Sequence, residues 1–444
     1  MSDSPPSKPP QSLPIFWPFR NVFYGWGIVY SSVVVSFFHV AMYGPVVAVF
    51  VKPIGDDMGW SRFEVTLGFT LGSLVGSMLS AVVGRFLDKH GARGIVMISG
   101  VVMAGMILGL ASMSEPWHMW VFLGGGRAAA MAGVNLATGV AVANWFVRRR
   151  GRAMAIYSIG LRAGQAVMPL IILPIMVAYS WRHAYVALAG ITLVFIVVPA
   201  FMYLRRRPED FGLRPDGDTA ENVEAANAPQ TGRWARKTVS DYSFTLRAAL
   251  RTRAFWLIVL ATAGAAFIQT AVNFHAVANF QDKGVSTALA VTVSTIFAGT
   301  SAVTMMGWGF LFERMHVRRG AIVASSIQVV AMLILTVADD YPTAVLFAVV
   351  YGIGTGGWTV LFSLMFADYF GRMHLGAIRG VAMPVMGIIN PLGPILAAAI
   401  RDSTGSYEIA FGAFAALFGA VIIAMFFAKP PRRPVSEAAG TVVG

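Results

Sequence analysis

The sequence predicts an all-α membrane protein with twelve transmembrane helices, and three observations lead to this prediction. Hydrophobic residues make up 57% of the 444-residue chain and charged residues only 12%, whereas about a quarter of a soluble domain is charged. Apolar runs recur from Phe23 to Ala428, most of them about 20 residues or longer, enough to cross a hydrocarbon core of ~30 Å. Two loop motifs of the first half of the chain return, degraded, in the second.

The apolar runs predict six spans in each half of the chain. They lie at about 22–51, 62–83, 94–113, 118–146, 152–178, 182–204, 254–279, 286–312, 319–338, 342–368, 376–400 and 406–428. The expected domains are therefore a disordered cytoplasmic tail (1–21), an N-terminal bundle (22–204), a polar cytoplasmic linker without assigned structure (205–253), a C-terminal bundle (254–428) and a second cytoplasmic tail (429–444).

The basic residues predict the orientation in the membrane. Of the 34 Lys and Arg residues, 27 fall on the side of both termini, five on the opposite side and two inside the membrane. The positive-inside rule therefore predicts cytoplasmic termini, in a bacterial inner membrane. This topology explains the net charge of +13, so no nucleic-acid partner is expected. The absence of cysteine excludes disulfides, thiolate metal sites and cysteine catalysis.

A charged loop follows the second span of each half. Asp88 is expected to accept hydrogen bonds from a neighbouring helix N-terminus or from Arg93, forming a latch that breaks when the two halves move. The alternative is a set of solvated loop charges. The predicted latch residues, which recur after 225 positions, are Gly84, Asp88, Lys89 and Arg93 in the first half, and Gly309, Glu313, Arg314 and Arg318 in the second.

A second motif repeats after the fourth and tenth spans. Phe146 and Arg148 in ANWFVRRRG correspond to Phe370 and Arg372 in ADYFGRMHLG. Parallel six-helix repeats joined by a cytoplasmic linker are the plan of a transporter whose site lies between the halves.

Arg162 is the main candidate for that site. It lies about ten residues into its span, hence ~15 Å from the cytoplasmic interface, where an arginine is costly unless it faces a wet cavity or a partner. Gly160 and Gly164 lie on the opposite face of the helix, while Gln165 shares the face of Arg162. The alternative is an arginine tied to backbone carbonyls, to water or to a neighbouring helix.

Further polar residues on predicted helix faces are weaker candidates. Arg127 either lines the cavity or snorkels to headgroups. Each histidine is either a site residue or a packing residue, and Asn390 precedes a proline that is typical of a kink. Besides Arg162 and Gln165, the predicted substrate-binding residues are Arg127, His39, Tyr43, Asn135, Gln269, Asn273, His275 and Asn390.

The distribution of charge predicts the class of ligand. All 21 acidic residues fall in tails, loops or helix ends, so two embedded arginines have no embedded carboxylate. A cavity of this kind favours an anion and disfavours efflux of cationic drugs. Because no embedded carboxylate is present, any coupled proton is expected to bind to a histidine or to enter on the substrate itself. Neither a metal nor another cofactor is expected.

The motifs also carry a family resemblance. GRFLDKHGARG resembles the signature loop of the major facilitator superfamily, and YGWG, MGWSRFE, WFVRRRG, RRPEDFGLRPDG and DSTGSY resemble its prokaryotic monocarboxylate-transporter-like and oxalate–formate-exchanger-like branch. The resemblance implies two pseudo-symmetric six-helix bundles that act as a monomer in the lipid bilayer. It implies proton-coupled symport of a small organic anion of monocarboxylate type by alternating access. Exchange of mono- and dicarboxylates and export of an acidic or amphipathic compound are the alternatives.

The sequence departs from this family pattern in its basic residues. The animal-type carriers have a Lys in helix 1 and an Asp/Arg pair in helix 8, and the exchanger type has basic residues in helices 8 and 11. We find none of these in the corresponding spans, so the predicted binding residues rest on Arg162 and Arg127.

Two other classes of protein are disfavoured by the sequence. A membrane enzyme would need metal ligands, a nucleophile with its base, or paired carboxylates, and the spans offer no HExxH motif and no embedded acid. A receptor would need a signalling domain larger than the predicted linker.

Overall fold

The computed structural model describes residues 22–60, 62–218 and 243–431. The predicted tail 1–21, about half of the predicted linker (residues 219–242) and nearly all of the C-terminal tail lie outside these ranges. Within them, every regular element is helical.

Twelve long helices, some of them interrupted, follow one another along the described chain, and a short helix at Leu246–Leu250 precedes the seventh of them. In the N-terminal half they are α1 (Gly25–Phe38, His39–Met42 and Gly44–Met58), α2 (Arg62–His90), α3 (Ala92–Ala111), α4 (Pro116–Ala128, Ala129–Asn135 and Leu136–Trp145), α5 (Arg150–Ala178) and α6 (Trp181–Tyr203). In the C-terminal half they are α7 (Arg253–Asp282), α8 (Thr287–Arg314), α9 (Val317–Thr336), α10 (Tyr341–Phe370), α11 (Leu375–Ile389 and Leu392–Thr404) and α12 (Glu408–Phe427).

Eleven of these helices in the described chain are long and apolar enough to cross a membrane. The exception is α4, because a π-helical segment at Ala129–Asn135 divides it into shorter pieces. Its three pieces still follow one another from Pro116 to Trp145, over the fourth predicted span. The prediction of an all-α protein with membrane-spanning helices is confirmed.

Two other helices contain breaks. A 3-10 turn at His39–Met42 interrupts α1, which continues to Met58, seven residues beyond the predicted end of its span. Helix α11 stops at Ile389 and resumes at Leu392. This break coincides with Asn390-Pro391, because a proline cannot donate the backbone hydrogen bond that a continuous helix needs.

The pattern of helix packing repeats between the halves. In the first half α2 packs on α4, α3 on α6, and α1 on α5; in the second half α8 packs on α10, α9 on α12, and α7 on α11. The halves meet where α2 packs on α11 and where α8 packs on α5, again equivalent pairs. This arrangement confirms two pseudo-symmetric six-helix bundles, while the exact domain boundaries stay a prediction.

Glycines allow the closest of these contacts. On α5, a Cβ at Gly160 or Gly164 would collide with backbone atoms of α1, at Val33 and Phe37 respectively. The packed face of α5 is therefore the glycine face, as its sequence predicts, and Arg162 is left on the other side of the helix.

The first part of the linker is ordered, contrary to the prediction that it lacks structure. Short 3-10 turns form at Pro208–Phe211 and Pro215–Gly217. The buried Asp216 carboxylate accepts hydrogen bonds from the backbone N–H groups of Val147, Arg148 and Arg149 at 3.0, 2.7 and 2.9 Å. The polar composition of this segment gives no sign of an ordered structure. The segment is held by the hydrogen bonds of Asp216 to the backbone before α5, and not by an apolar core.

Candidate functional site

The charged loops close one end of the bundle, which we call the linker face because residues 205–218 lie on it. Asp88 accepts hydrogen bonds from the backbone N–H groups of Gly376 and Ala377, both at 2.8 Å. These two groups belong to the first turn of α11, in the other half of the chain. Of the two predicted partners for Asp88, the structure shows the helix N-terminus.

The second charged loop makes the equivalent contact. Glu313 accepts hydrogen bonds from the backbone N–H of Arg152 at 3.3 Å and from the Arg152 Nε at 2.7 Å. Arg152 lies in the first turn of α5. Each half therefore places one carboxylate at the beginning of a helix of the other half, where the positive end of the helix dipole favours it.

The remaining loop residues hold each half together or face outward. Arg93 lies over the Phe201 ring at 4.4 Å, and Arg318 lies over the Phe426 ring at 5.6 Å and donates to the Met425 carbonyl at 2.9 Å. Gly84 and Gly309 sit against the backbone of α11 and α5, where a Cβ would collide. Lys89 and Arg314 are exposed.

Two further arginines cross between the halves at the linker face. Arg150 Nη1 lies 3.4 Å from Asp368 Oδ1, and Arg372 Nη1 donates to the Asn144 carbonyl at 2.9 Å. Arg150 and Arg372 are both buried, with exposed fractions of 5% and 3%. The two halves are therefore in contact at the linker face.

Arg162 lies between the halves, away from this closed end. It is twelve residues into α5, or about 18 Å from the linker face at 1.5 Å per residue. Its Nη2 donates to Thr359 Oγ1 of α10 at 3.3 Å and its Nη1 to Gln165 Oε1 at 3.5 Å. Both bonds are long, and the buried Nε has no hydrogen-bond partner in the described residues. The guanidinium is therefore held by two weak hydrogen bonds, and its other N–H groups remain available to bind a ligand.

Arg127 is held much more tightly. It is 9% exposed, and its guanidinium lies over the rings of Tyr43 and Phe69, at 4.2 and 4.5 Å. It donates to Ser73 Oγ and to the Met42 carbonyl, both at 3.1 Å. The side chain therefore lies inside the N-terminal bundle and does not extend to the surface, as the snorkelling alternative would require.

Three other predicted residues surround Arg127. Asn135 Nδ2 donates to the Tyr43 hydroxyl at 3.3 Å, and the ring of His39 lies 4.9 Å from that of Tyr43. His39 Nδ1 is 2.8 Å from the Ser36 carbonyl, which can only accept, so the proton is on Nδ1. The lone pair of the buried Nε2 has no hydrogen-bond partner in the described part of the chain. His39 therefore has one ring nitrogen that is free to accept a hydrogen bond.

Gln269 and Asn273 of α7 meet Tyr351 of α10. The Tyr351 hydroxyl lies 3.4 Å from Asn273 Oδ1 and 3.5 Å from the Gln269 carbonyl. Thr359, which accepts a hydrogen bond from Arg162 of the first half, lies on the same helix as Tyr351. The polar groups of both halves therefore face the same central region.

The last two predicted residues are engaged elsewhere. His275 Nε2 is 3.0 Å from the Pro394 carbonyl and its Nδ1 is 3.1 Å from the Tyr407 hydroxyl, so both ring nitrogens have a hydrogen-bond partner. Asn390 accepts a hydrogen bond from the Thr270 hydroxyl, which joins the break in α11 to α7. Both contacts are ones that packing residues make.

Arg379 is a buried arginine of helix 11 that was not predicted from the sequence, and the expectation that this helix has no basic residue is wrong. Arg379 lies five residues into α11 and is 9% exposed. The residue falls inside the predicted span 376–400, but its closeness to the loop led to its assignment to the cytoplasmic side. Thr359, which contacts Arg162, was also not predicted. A single threonine in an apolar helix does not by itself indicate a binding site.

The charge of the central region is positive. In the described chain every acidic residue lies in a loop or within the first or last turn of its helix. Among the described residues, no group of three or more His, Cys, Asp or Glu side chains could hold a metal ion. Two pseudo-symmetric bundles with polar groups of both halves directed at one interior region define a multi-pass membrane carrier.

Comparison with known proteins identifies the family. The model of the Major Facilitator Superfamily matches residues 29–291 and 267–442, and the chain belongs to this superfamily. It is 26% identical to the oxalate:formate antiporter of Oxalobacter formigenes, covering 87% of this chain and 88% of that protein. It is 24% identical to monocarboxylate transporter 12 of Rattus norvegicus (82% and 74%) and 23% identical to a probable sulfoacetate transporter of Cupriavidus necator (85% and 87%).

Solved structures share the fold. The proton:xylose symporter XylE superposes with a TM-score of 0.70 at 13% identity, covering 91% of this chain and 96% of that one. The transporter FucP in its outward conformation gives a TM-score of 0.67 at 13% identity, covering 91% and 100%. The predicted family is confirmed, and the chain resembles the monocarboxylate and oxalate–formate branch in sequence.

Proposed function

We propose that this chain is a secondary active transporter for a small organic anion of monocarboxylate type, working by alternating access as a proton-coupled symporter. The observation that carries the proposal is Arg162, a permanently charged side chain between the two halves with two long hydrogen bonds and no acidic partner in the described residues. A substrate carboxylate supplies the missing negative charge, because two parallel N–H···O bonds match the planar guanidinium.

The surroundings of Arg162 suit a carboxylate. Gln165, Thr359 and Tyr351 offer neutral hydrogen-bonding groups near the guanidinium, so the charge is not cancelled before substrate arrives. The relatives are named for monocarboxylates, for oxalate and formate, and for sulfoacetate. All of these are small organic anions, which supports the same class of substrate for this chain.

Proton coupling is assigned mainly to His39. Its Nε2 lone pair is unpartnered among the described residues, and it lies beside Tyr43, which faces both arginines. Protonation of His39 adds a second donor to this region and so favours anion binding. Exchange of two organic anions is the second candidate, since the chain resembles an oxalate:formate antiporter over most of its length.

The orientation is proposed from the basic residues. With the linker face in the cytoplasm, the arginine-rich loops lie on the side that the positive-inside rule requires. The protein then functions as a monomer in a bacterial inner membrane, with protons and the organic anion as its partners. Neither a nucleic-acid partner nor an enzymatic activity is part of this proposal.

Uptake into proteoliposomes tests the proposal. Arg162→Ala should abolish uptake of radiolabelled lactate, formate or oxalate, whichever the wild type carries, and Arg162→Lys should rescue little because it cannot form the bidentate pair. The amide of the transported acid should not compete. Arg85→Ala, at an exposed arginine of α2, is the matched control. Near-normal uptake by Arg162→Ala would show that the arginine is structural.

The same vesicles separate symport from exchange. A symporter accumulates the acid in empty vesicles when a pH gradient is imposed. An exchanger takes it up only when the vesicles are preloaded with a counter-anion, and the pH gradient then has no effect.

A further inference from the structure

Arg379 is a buried arginine without a partner. It is 9% exposed, and its buried Nη1 has no hydrogen-bond partner in the described chain. Its guanidinium points from α11 at Gly139 of α4, where a Cβ would approach Nη1 to 2.7 Å. The missing side chain of Gly139 therefore makes the room that the guanidinium occupies.

Arg150, another buried arginine, has several hydrogen-bonding partners. Arg150 donates to the carbonyls of Phe146 and Ala143 and pairs with Asp368. The chain therefore has the means to satisfy a buried guanidinium near the linker face. Arg379 lacks such support, although a buried charge without a partner destabilises a fold. An unsupported charge of this kind indicates a function that needs the charge.

Arg379 lies at a depth between the linker face and Arg162. It is four residues from Leu375, the first residue of α11, and Arg162 is twelve residues from the first residue of α5. At 1.5 Å per residue Arg379 lies ~12 Å closer to the linker face than Arg162. Tyr157 of α5 interacts electrostatically with Arg379, and it lies between the two levels.

Opening of the linker face would change the surroundings of Arg379. Gly376 and Ala377, which bind Asp88, precede it on the same helix, and Gly139 belongs to the other half. When the latch breaks and α11 separates from α2 and α4, the guanidinium loses its cover and becomes accessible from the linker face.

We propose that Arg379 is a second anion-binding site, which receives the substrate carboxylate from Arg162 on release to the linker face and captures it on entry from that side. This inference rests on the proposed transport of an organic anion. In the closed state α4 covers the guanidinium at Gly139. In the state open to the linker face, Arg379 lowers the free-energy barrier for the anion between the central region and water. The ligand class is a small carboxylate, the same as for Arg162.

Sided transport measurements test this assignment. Proteoliposomes of known orientation, established by protease cleavage of a C-terminal tag, are supplied with labelled oxalate, formate or L-lactate at one face. Arg379→Gln should raise KM for entry at the linker face about tenfold, the usual effect of losing one charge-assisted hydrogen bond, and leave KM at the opposite face within about twofold. Arg379→Lys should restore part of the affinity at the linker face, and the exposed Arg85→Gln should alter neither value.

Two further measurements distinguish the possible failures. Arg162→Gln should raise KM at both faces; if it does not, the proposed central site is wrong, whatever Arg379 does. Thermal unfolding of the empty protein provides a readout that needs no substrate. Arg379→Gln should leave Tm unchanged or raise it, since it removes an unpaired buried charge, whereas Arg150→Gln should lower it. An unchanged KM at the linker face, or a fall in Tm like that of Arg150→Gln, would overturn the assignment.

Discussion

The carboxylate of Asp88 offers the sharpest test of how this carrier moves. In the structure it joins α2 to the first turn of α11, through two backbone N–H groups at 2.8 Å. Alternating access requires the halves to separate at this end, so both bonds exist in one conformation and are lost in the other. Asp88→Asn should therefore favour the conformation that is open at the linker face, while insertion into the membrane stays normal.

The size of this effect follows from the geometry. An asparagine keeps one acceptor oxygen and turns its NH₂ group toward the second N–H, so one hydrogen bond and the charge are lost. A hydrogen bond to a charged group is worth ~1.5–3 kcal/mol, and a charge at a partly buried helix N-terminus contributes up to ~2 kcal/mol. We take the closed conformation to lose about 2 kcal/mol of stability relative to the open one, which lowers the ratio of closed to open molecules by about thirtyfold.

Pulsed electron-spin distance measurements report this ratio directly. The chain contains no cysteine, so Arg85→Cys and Arg319→Cys, at exposed residues of the two halves on the linker face, give a unique labelled pair. The wild type should show mainly the short distance, and Asp88→Asn should move a large fraction of molecules to a longer one. Glu313→Gln, which alters the equivalent contact with Arg152, should act in the same direction.

Asp340 provides a matched control at the other end of the bundle. It accepts a hydrogen bond from the Thr343 backbone N–H at 2.9 Å, in the first turn of α10. The Thr343 hydroxyl and N–H lower the pKa of Asp340, so it is ionised at neutral pH, as a capping carboxylate should be. Because this contact stays within one half, Asp340→Asn should leave the distance distribution unchanged. If Asp88→Asn and Asp340→Asn give the same distribution, the latch does not govern opening.

Two further predictions concern proton coupling and the ordered linker. Replacing His39 and His275 with Gln should flatten the pH dependence of uptake. His39→Gln alone should account for most of the change, because of these two histidines only His39 has a buried ring nitrogen without a hydrogen-bond partner in the described chain. Unchanged pH dependence in the double variant would indicate co-entry on the substrate or exchange. Asp216→Ala should lower the stability of the fold by about 1–3 kcal/mol, because three backbone N–H groups lose their acceptor; a Tm equal to that of wild type would contradict this.

The fold could be predicted because the lengths of the apolar runs and the repeated loop motifs are visible in the sequence. The breaks in the helices were harder to predict. The break in α11 coincides with Asn390-Pro391, a visible signal, but the π-helical segment at Ala129–Asn135 lies in a run of small residues with no proline. Such a segment depends on how α4 packs against its neighbours, which no local pattern records.

The candidate site was predictable only in part, for a related reason. Arg162 stands out because a charge in an apolar run is rare, and Gly160 with Gly164 indicates which way it faces. Arg379 does not stand out, because an arginine five residues into a helix resembles any loop charge. Whether such a residue is solvated or buried depends on the opposite half of the protein, through Gly139, and that contact joins residues 240 positions apart.

Arg127, Arg162 and Arg379 differ in how well the fold supports their charge, and this difference indicates their roles. Arg127 has two hydrogen bonds and two aromatic faces, so its charge helps to shape the N-terminal bundle. Arg162 has two long bonds, and Arg379 has none among the described residues. The support for the charge therefore decreases in the order Arg127, Arg162, Arg379. While Arg379 is covered, a carboxylate bound at Arg162 has no second cation to move to. When Arg379 is uncovered, the move becomes favourable, so movement of the substrate would be coupled to the opening of the latch.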